Sequence, residues 1–156
     1  MPEYVTKEGM DWIQKKMSKL IKERPSIIKQ VVTAREMGDL SENAEYHAAR
    51  ERQKHLENEY NHLKNRVSKL QVIDTDKIAK NQVRFGARVT MQNIANKEIR
   101  KIRIVGIDEV FSTDDEYERL SYASPIGRAL IGKKNSEIAV VKAPIGDKKF
   151  KILAII

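Results

Sequence analysis

The 156-residue sequence contains no cysteine and no long apolar segment. The absence of cysteine excludes disulfides, thiol nucleophiles and cysteine-liganded zinc sites. No apolar run approaches the ~20 residues needed to cross a bilayer, and the N-terminus, Met-Pro-Glu-Tyr-Val, lacks the basic and apolar regions of a signal peptide. We therefore expect a cytoplasmic protein without a membrane partner.

Positive charge is in excess, with 30 lysine and arginine residues against 22 aspartate and glutamate residues. Residues 1–75 hold 14 basic and 12 acidic residues, a net +2, whereas residues 76–156 hold 16 and 10, a net +6. Such a balance permits an anionic partner, nucleic acid above all, without requiring one. A surface of solvated lysines explains the charge equally well.

Two long stretches carry the apolar period of helices. After Thr6, a plausible N-cap, the first has apolar positions three, four or seven residues apart: Met10, Ile13, Met17, Leu20, Ile27, Val31 and Ala34. Pro25 predicts a bend in this helix, and Gly38 predicts its end. The second helix is predicted from about Asp39 to about Leu70. Because the connection is short, residues 1–75 are predicted to form an antiparallel coiled-coil hairpin with its functional tip near residues 35–52.

The second half of the chain changes to the alternating period of strands. We interpret residues 76–82 as a linker and residues 83–156 as a small sheet domain, with predicted strands starting at Val83, at Ile99, at Ile138 and at Lys149. Ser124-Pro125 predicts the start of one short helix, which Gly132 ends. The apolar residues Ile126, Leu130 and Ile131 of this helix are predicted to face the sheet. The predicted fold class is therefore α+β, with a helical hairpin followed by a small α+β domain.

The predicted tip reads R-E-M-G-D-L-S-E-N-A-E-Y-H-A-A-R-E-R from Arg35 to Arg52. If Asp39 and Glu42 lie in the first helical turn, their carboxylates share one face. Such oxygen ligands suit magnesium, which takes one or two protein carboxylates and fills its other positions from water or phosphate. The same spacing also fits a capping box, in which both acids satisfy backbone amides. The two interpretations are compatible.

Other polar side chains near the tip give weaker signals. His47, His55 and His62 are eight and seven residues apart, whereas histidines that share a metal on one helix are usually four apart. We therefore interpret them as surface or packing residues. Tyr46 lies both on the apolar seam and near the tip, so it is a candidate for core packing and for a functional contact.

Two motifs resemble a known family. The stretch from Gly38 to Arg50, G-D-L-S-E-N-A-E-Y-H-A-A-R, is similar to the coiled-coil tip of the bacterial Gre transcript cleavage factors. Residues 124–133, S-P-I-G-R-A-L-I-G-K, resemble the C-terminal motif of that family. The resemblance covers essentially the whole chain. It is nearer to GreA than to GreB, because the hairpin carries only +2 and no long basic stripe.

The resemblance implies a function in transcription elongation. Members of the Gre family bind bacterial RNA polymerase through the secondary channel, and their FKBP-like C-terminal domain docks at the rim of that channel. In a backtracked complex they stimulate the polymerase to cut the 3′ end of the nascent RNA. The factor itself is not an enzyme, and we expect a monomer.

The same resemblance implies roles for individual residues. Asp39 and Glu42 would assist catalysis by holding a Mg²⁺ shared with the polymerase active site, with no ion bound by the factor alone. Arg35, Arg50, Arg52 and Tyr46 would contact RNA or polymerase.

Three alternatives have the same architecture. One is a channel-binding inhibitor of RNA polymerase, against which the presence of both Asp39 and Glu42 argues. A second is an FKBP-type prolyl isomerase, which needs an aromatic-lined pocket that the scattered aromatic residues do not indicate. A third is a structural coiled coil, which would dimerise through its apolar seam.

Overall fold

The computed structural model describes residues 3–39, 43–112 and 115–156. The chain divides into a helical unit, Asp11–Lys69, and a sheet unit that comprises Leu70–Ile156 together with the residues up to Met10. The segment 1–75, predicted as the hairpin, thus contributes both of its ends to the sheet unit. Within the described ranges, no helix combines the length and the apolarity that crossing a bilayer requires.

The helical hairpin consists of α1 (Lys7–Arg35) and α2 (Ala44–Lys69). Thr6 caps α1 as predicted, because its hydroxyl accepts a hydrogen bond from the Gly9 amide at 3.0 Å. Pro25 lies inside α1 without ending it. The predicted hairpin and the α+β class are confirmed, whereas the predicted start of α2 at Asp39 is wrong by five residues.

The apolar seam of the helical unit matches the predicted period. Buried positions recur along both helices: Ile13, Leu20, Val31, Ala34, Ala49 and Leu56. Arg24 interrupts the seam of α1, and its guanidinium lies 3.3 Å from the Glu57 carboxylate on α2. Apolar burial between the helices thus stabilises the hairpin, and this exposed ion pair adds about 0–1 kcal/mol.

The sheet unit begins with a two-stranded parallel pair that the sequence did not predict. Strand β1 (Glu3–Thr6) pairs with β2 (Leu70–Ile73), so that Glu3 lies opposite Leu70 and Thr6 opposite Ile73. Single 3-10 turns follow at Thr75–Lys77 and, further along the chain, at Ile107–Glu109.

A five-stranded sheet forms the body of this unit. Its strands are β3 (Arg88–Asn93), β4 (Ile99–Val105), β5 (Glu118–Ser121), β6 (Ile138–Val141) and β7 (Lys148–Ile155). They lie in the order β5-β4-β3-β7-β6, and every neighbouring pair is antiparallel except β4 and β5. One face is buried in a core that includes Met91, Ile102, Ile104, Phe150 and Ile152.

The short helix α3 (Pro125–Leu130) covers that core as predicted. Ser124 is its N-cap, since its hydroxyl accepts a hydrogen bond from the Gly127 amide at 3.0 Å. Leu130 is fully buried, and Ile126 packs against the core. A side chain at Gly127 would place its Cβ 2.3 Å from the Ser121 carbonyl oxygen, so only glycine fits there.

Two predictions for the sheet unit are wrong, and one of its strands was not predicted. The strand expected from Val83 starts only at Arg88, because residues 84–87 form a turn closed by a hydrogen bond from the Ala87 amide to the Arg84 carbonyl, at 3.0 Å. Val83 imitates a strand residue because it is fully buried in the core. Ile131 lies beyond α3 and is 42% exposed rather than turned to the sheet. The sequence also gave no signal for β5.

Two buried charged side chains fix the start of α1 within the sheet unit. The Glu109 carboxylate accepts hydrogen bonds from the amides of Thr6 (2.8 Å) and Gly106 (3.0 Å) and from the Thr6 hydroxyl. The Arg103 guanidinium donates to the Gly86 carbonyl and to the Thr75 hydroxyl, both at 3.2 Å.

Glu8 completes this network, with its carboxylate 3.5 Å from the Arg103 guanidinium. Partial burial works to raise the pKa of Glu8, but a hydrogen bond from its own amide and the charge of Arg103 outweigh burial, so that pKa is lowered. None of these pairings was predicted from the sequence.

Candidate functional site

The candidate site is the connection between the two helices of the hairpin. Helix α1 ends at Arg35, after which the Glu36 and Met37 amides still donate to the carbonyls of Val32 (3.2 Å) and Ala34 (3.1 Å). Gly38 then adopts a φ of +140°, which is unfavourable for residues with a side chain. The helix therefore stops where the sequence predicted, and Asp39 follows as an exposed residue outside any helix.

Asn43, not Asp39, caps the second helix. The Asn43 side-chain oxygen accepts a hydrogen bond from the Tyr46 amide at 3.0 Å, and its carbonyl accepts from the His47 amide at 3.1 Å. Asp39 therefore does not cap α2, and its predicted placement in the first turn of that helix is wrong, whereas the part of the prediction that concerns Glu42 lies outside the described residues. Asparagine is as good an N-cap as aspartate. The sequence therefore did contain an N-cap signal for α2, at Asn43 rather than at Asp39.

The side chain of Asn43 also joins the two helices. Its amide nitrogen donates to the Ala34 carbonyl at 2.6 Å, so one side chain satisfies the first turn of α2 and one of the last carbonyls of α1. Ala34 is itself buried, at 4% exposure, and so is a second small residue, Ala49 on α2. Sequence reasoning missed this contact because it depends on two residues nine positions apart.

The acidic residues of the tip supply oxygen donors. Asp39 is exposed, and Glu42 lies outside the described residues. Glu45 is exposed in the first turn of α2, where the positive end of the helix dipole favours a carboxylate. In the ranges that the structure describes, no three histidine, aspartate or glutamate side chains come together as metal ligands. The oxygen donor chemistry of Asp39 fits magnesium, and the described part of the tip contributes this one predicted ligand.

Two of the residues predicted to contact RNA or polymerase contact each other. The Arg35 guanidinium lies 5.9 Å from the centre of the Tyr46 ring, a cation–π arrangement. The same ring packs edge-on against His47, with centroids 5.6 Å apart. Tyr46 is only partly buried, so it serves both as a packing residue and as a platform for a cation near the tip.

The other two predicted contact residues bind neutral side chains. Arg50 donates to the Gln53 side-chain oxygen at 2.9 Å, and Arg52 donates to that of Gln30, on α1, at 3.1 Å. Within the described part of the chain, Arg35, Arg50 and Arg52 have no carboxylate partner. Their positive charges are therefore not neutralised by described carboxylates, which leaves them suited to bind phosphate.

The histidines of α2 do not form a shared site. His55 lies 3.9 Å from the Glu59 carboxylate one turn away, a contact between exposed side chains. His47 contacts Tyr46 only as a ring neighbour. These placements agree with the surface and packing roles predicted for them.

Aromatic residues of the sheet unit are less scattered than the sequence suggested. Tyr4, Phe85 and Tyr122 form one cluster, with ring centroids 5.7–6.4 Å apart. The three rings pack on one another, and each of them is only partly buried.

Comparison with known proteins identifies the family. A model described as transcription elongation factor, N-terminal, matches residues 3–72, and one described as transcription elongation factor, GreA/GreB, C-term, matches residues 78–156. The chain belongs to the GreA/GreB transcription elongation factor family. Both family domains are thus present, in the family order, and the predicted resemblance is confirmed.

Curated relatives of the GreA/GreB family cover nearly the whole chain. The transcription elongation factor GreA of Thermodesulfovibrio yellowstonii is 42% identical over 152 residues, which is 97% of this chain and 94% of that protein. GreA of Buchnera aphidicola subsp. Baizongia pistaciae is 43% identical over 150 residues, which is 94% and 92% of the two chains. The crystal structure of Gfh1, a GreA factor homologue of Thermus thermophilus, is 19% identical with a TM-score of 0.45, covering 100% and 99%, a likeness too weak to support an argument.

Proposed function

We propose that this chain binds bacterial RNA polymerase through the secondary channel and stimulates cleavage of the 3′ end of nascent RNA in backtracked complexes. The observation that carries the proposal is the exposed Asp39, in a short connection between two long helices, within a chain that has both GreA/GreB domains. A hairpin presents such a connection at its far end, the part of the unit that reaches furthest into a narrow channel.

The acidic residues would work on the RNA together with the polymerase. Asp39 and Glu42 are the residues that would hold a magnesium ion shared with the polymerase active site. When bound, such an ion makes water a stronger nucleophile and stabilises the leaving oxygen. The Asp39 carboxylate would supply one oxygen ligand, from the position that directly follows Gly38. The factor by itself supplies only part of the site, so we propose that it is not an enzyme alone.

The arginines would orient the RNA. Guanidinium groups bind phosphate oxygens in a planar, two-pronged geometry. Arg50 and Arg52 are bonded to the neutral oxygens of Gln53 and Gln30, contacts that a phosphate can replace at little electrostatic cost. Arg35, lying over the Tyr46 ring, is held nearer to the connection and would contact RNA closest to Asp39.

The test is the length of labelled RNA in purified bacterial elongation complexes stalled in a backtracked state with magnesium. We expect the parent protein to shorten the RNA from its 3′ end, and Asp39→Asn and Glu42→Gln to lower the cleavage rate about 100-fold or more, as loss of a catalytic ligand does. Asp11→Asn, the same change at an exposed position near the other end of α1, is the matched control.

The possible results separate two functions. Cleavage by the parent and by Asp11→Asn, but not by the two tip variants, supports the proposal. If the parent slows RNA synthesis without cutting RNA, the chain is a channel-binding inhibitor and the proposal is wrong.

A further inference from the structure

We propose that Asn43 is a positioning residue for the cleavage reaction, because its side chain fixes both ends of the connection that carries Asp39. This inference rests on the proposed function and adds a residue to it. Asn43 does not touch the reacting atoms in our account. It acts through the end of α1 that leads to Asp39, to which its side chain is bonded at the Ala34 carbonyl.

The side-chain amide of Asn43 forms two hydrogen bonds, one to each helix of the hairpin. Its oxygen accepts from the Tyr46 amide at 3.0 Å, while its nitrogen donates to the Ala34 carbonyl at 2.6 Å. A helix N-terminus needs acceptors and a helix C-terminus needs donors. The side-chain amide has one of each, so Asn43 satisfies both helix ends at once.

Few other contacts among the described residues hold the two helix ends together. The buried seam residues at this end, Ala34 and Ala49, are small and bury little apolar surface. The nearest other described hydrogen bond between the helices joins Arg52 to Gln30, which lie further from the connection than Asn43 and Ala34 do. The stacking of Arg35 on Tyr46 is the second described contact across the tip.

The consequence for chemistry is the placement of Asp39. Both ends of the connection are fixed by one side chain, and Gly38, with φ +140°, sets the direction in which the chain leaves α1. Reacting groups must be held within fractions of an ångström, and a misplacement of 1 Å can cost about 100-fold in rate. Releasing Asn43 from Ala34 should therefore lower the cleavage rate without removing any ligand.

Two substitutions separate this bridge from helix capping. Asn43→Asp and Asn43→Ser each retain an oxygen that can cap α2, because aspartate and serine are as good at an N-cap as asparagine. Neither retains the bridge, since an ionised aspartate has no donor and the serine hydroxyl is too short to reach Ala34. Asn43→Asp adds a negative charge and Asn43→Ser does not, so a defect common to both reflects the lost bridge.

The experiment measures transcript cleavage over a range of factor concentrations, with Asn58→Asp on the exposed surface of α2 as the charge control. We expect both Asn43 variants to lower the maximal rate about 10-fold or more while the half-saturating concentration changes less than about 2-fold. Asn58→Asp should match the parent. Hydrogen exchange of the free protein should show faster exchange of the Glu36 and Met37 amides in both variants, with the Tyr46 and His47 amides still protected.

Several results would overturn the inference. A maximal rate equal to that of the parent removes any positioning role, and a defect confined to the half-saturating concentration makes Asn43 a docking or stability residue. If the parent itself cuts no RNA, the proposed function fails and this inference fails with it. If the parent cuts RNA, Asp39→Asn does not and both Asn43 variants do, then only the role of Asn43 is refuted.

Discussion

Removal of the Glu109 side chain should destabilise the sheet unit strongly. Glu109 is 2% exposed, and its carboxylate accepts from the amides of Thr6 and Gly106 as well as from the Thr6 hydroxyl. Gly9 allows this approach, because a Cβ there would lie 2.2 Å from a Glu109 oxygen. A single buried side chain thus connects β1, the start of α1 and the turn after β4.

The expected magnitude follows from what each variant leaves unpaired. Glu109→Ala leaves three buried donors without their partner, at about 1–3 kcal/mol for each that water cannot reach, so we expect a loss of about 3–5 kcal/mol. Glu109→Gln retains one oxygen for the two amides, and the Thr6 hydroxyl can rotate to accept from the new amide group. Its loss should be about 1 kcal/mol, the difference between charged and neutral hydrogen bonds.

Hydrogen exchange of the β3 and β4 amides measures this loss in the sheet unit by itself. Because about 1.4 kcal/mol is a factor of ten, Glu109→Ala should accelerate exchange of these amides by about 10²- to 10⁴-fold. The control is Glu116→Ala, which removes an exposed carboxylate 3.3 Å from Lys101 and should cost less than about 1 kcal/mol. Equal effects of the two alanine variants would refute the reasoning.

Two further predictions concern the same unit. Gly86 and Gly132 both have positive φ, +84° and +88°, but only a Cβ at Gly86 would clash, at 2.1 Å from Thr75. Gly86→Ala should therefore lower the thermal midpoint by clearly more than Gly132→Ala, which costs only about 1 kcal/mol of backbone strain. Equal midpoints for the two variants would contradict the clash. Because the pKa of Glu8 is lowered in the fold, its contribution to the free energy of unfolding is present above its ordinary pKa of 4.5 and is lost as the pH falls through the folded pKa. Urea titrations should show that the parent loses its stability advantage over Glu8→Gln below about pH 4.5. A constant difference in stability down to pH 3 would argue against the pairing of Glu8 with Arg103.

The parts of the fold that the sequence predicted depend on local or periodic signals. Helix α1 ends near Gly38 because the apolar period stops and a glycine follows. Helix α3 starts at Pro125 because Ser124 and Pro125 each favour a helix start for a separate reason. Such signals lie within a few residues of the structure that they specify, so a single sequence contains them.

The parts that it did not predict depend on distant partners. Strands β1 and β2 are four residues each and pair across 67 positions of sequence, from Glu3 to Leu70. Glu109 becomes buried only because Thr6, 103 residues away, supplies donors. At the tip, Asp39 and Asn43 are both good N-cap residues, and the wrong one was predicted to cap α2. Only the asparagine side chain can also donate a hydrogen bond to the Ala34 carbonyl.

We expect the hairpin tip to work at the RNA 3′ end inside the polymerase. A benzophenone amino acid in place of Met37, which is 66% exposed beside Asp39, tests it by photocrosslinking to labelled nascent RNA. We expect crosslinks to the RNA 3′ segment in backtracked complexes, and none from the same probe in place of Ile21, which is exposed midway along α1. No RNA crosslink from position 37, or equal crosslinking from both positions, would contradict it.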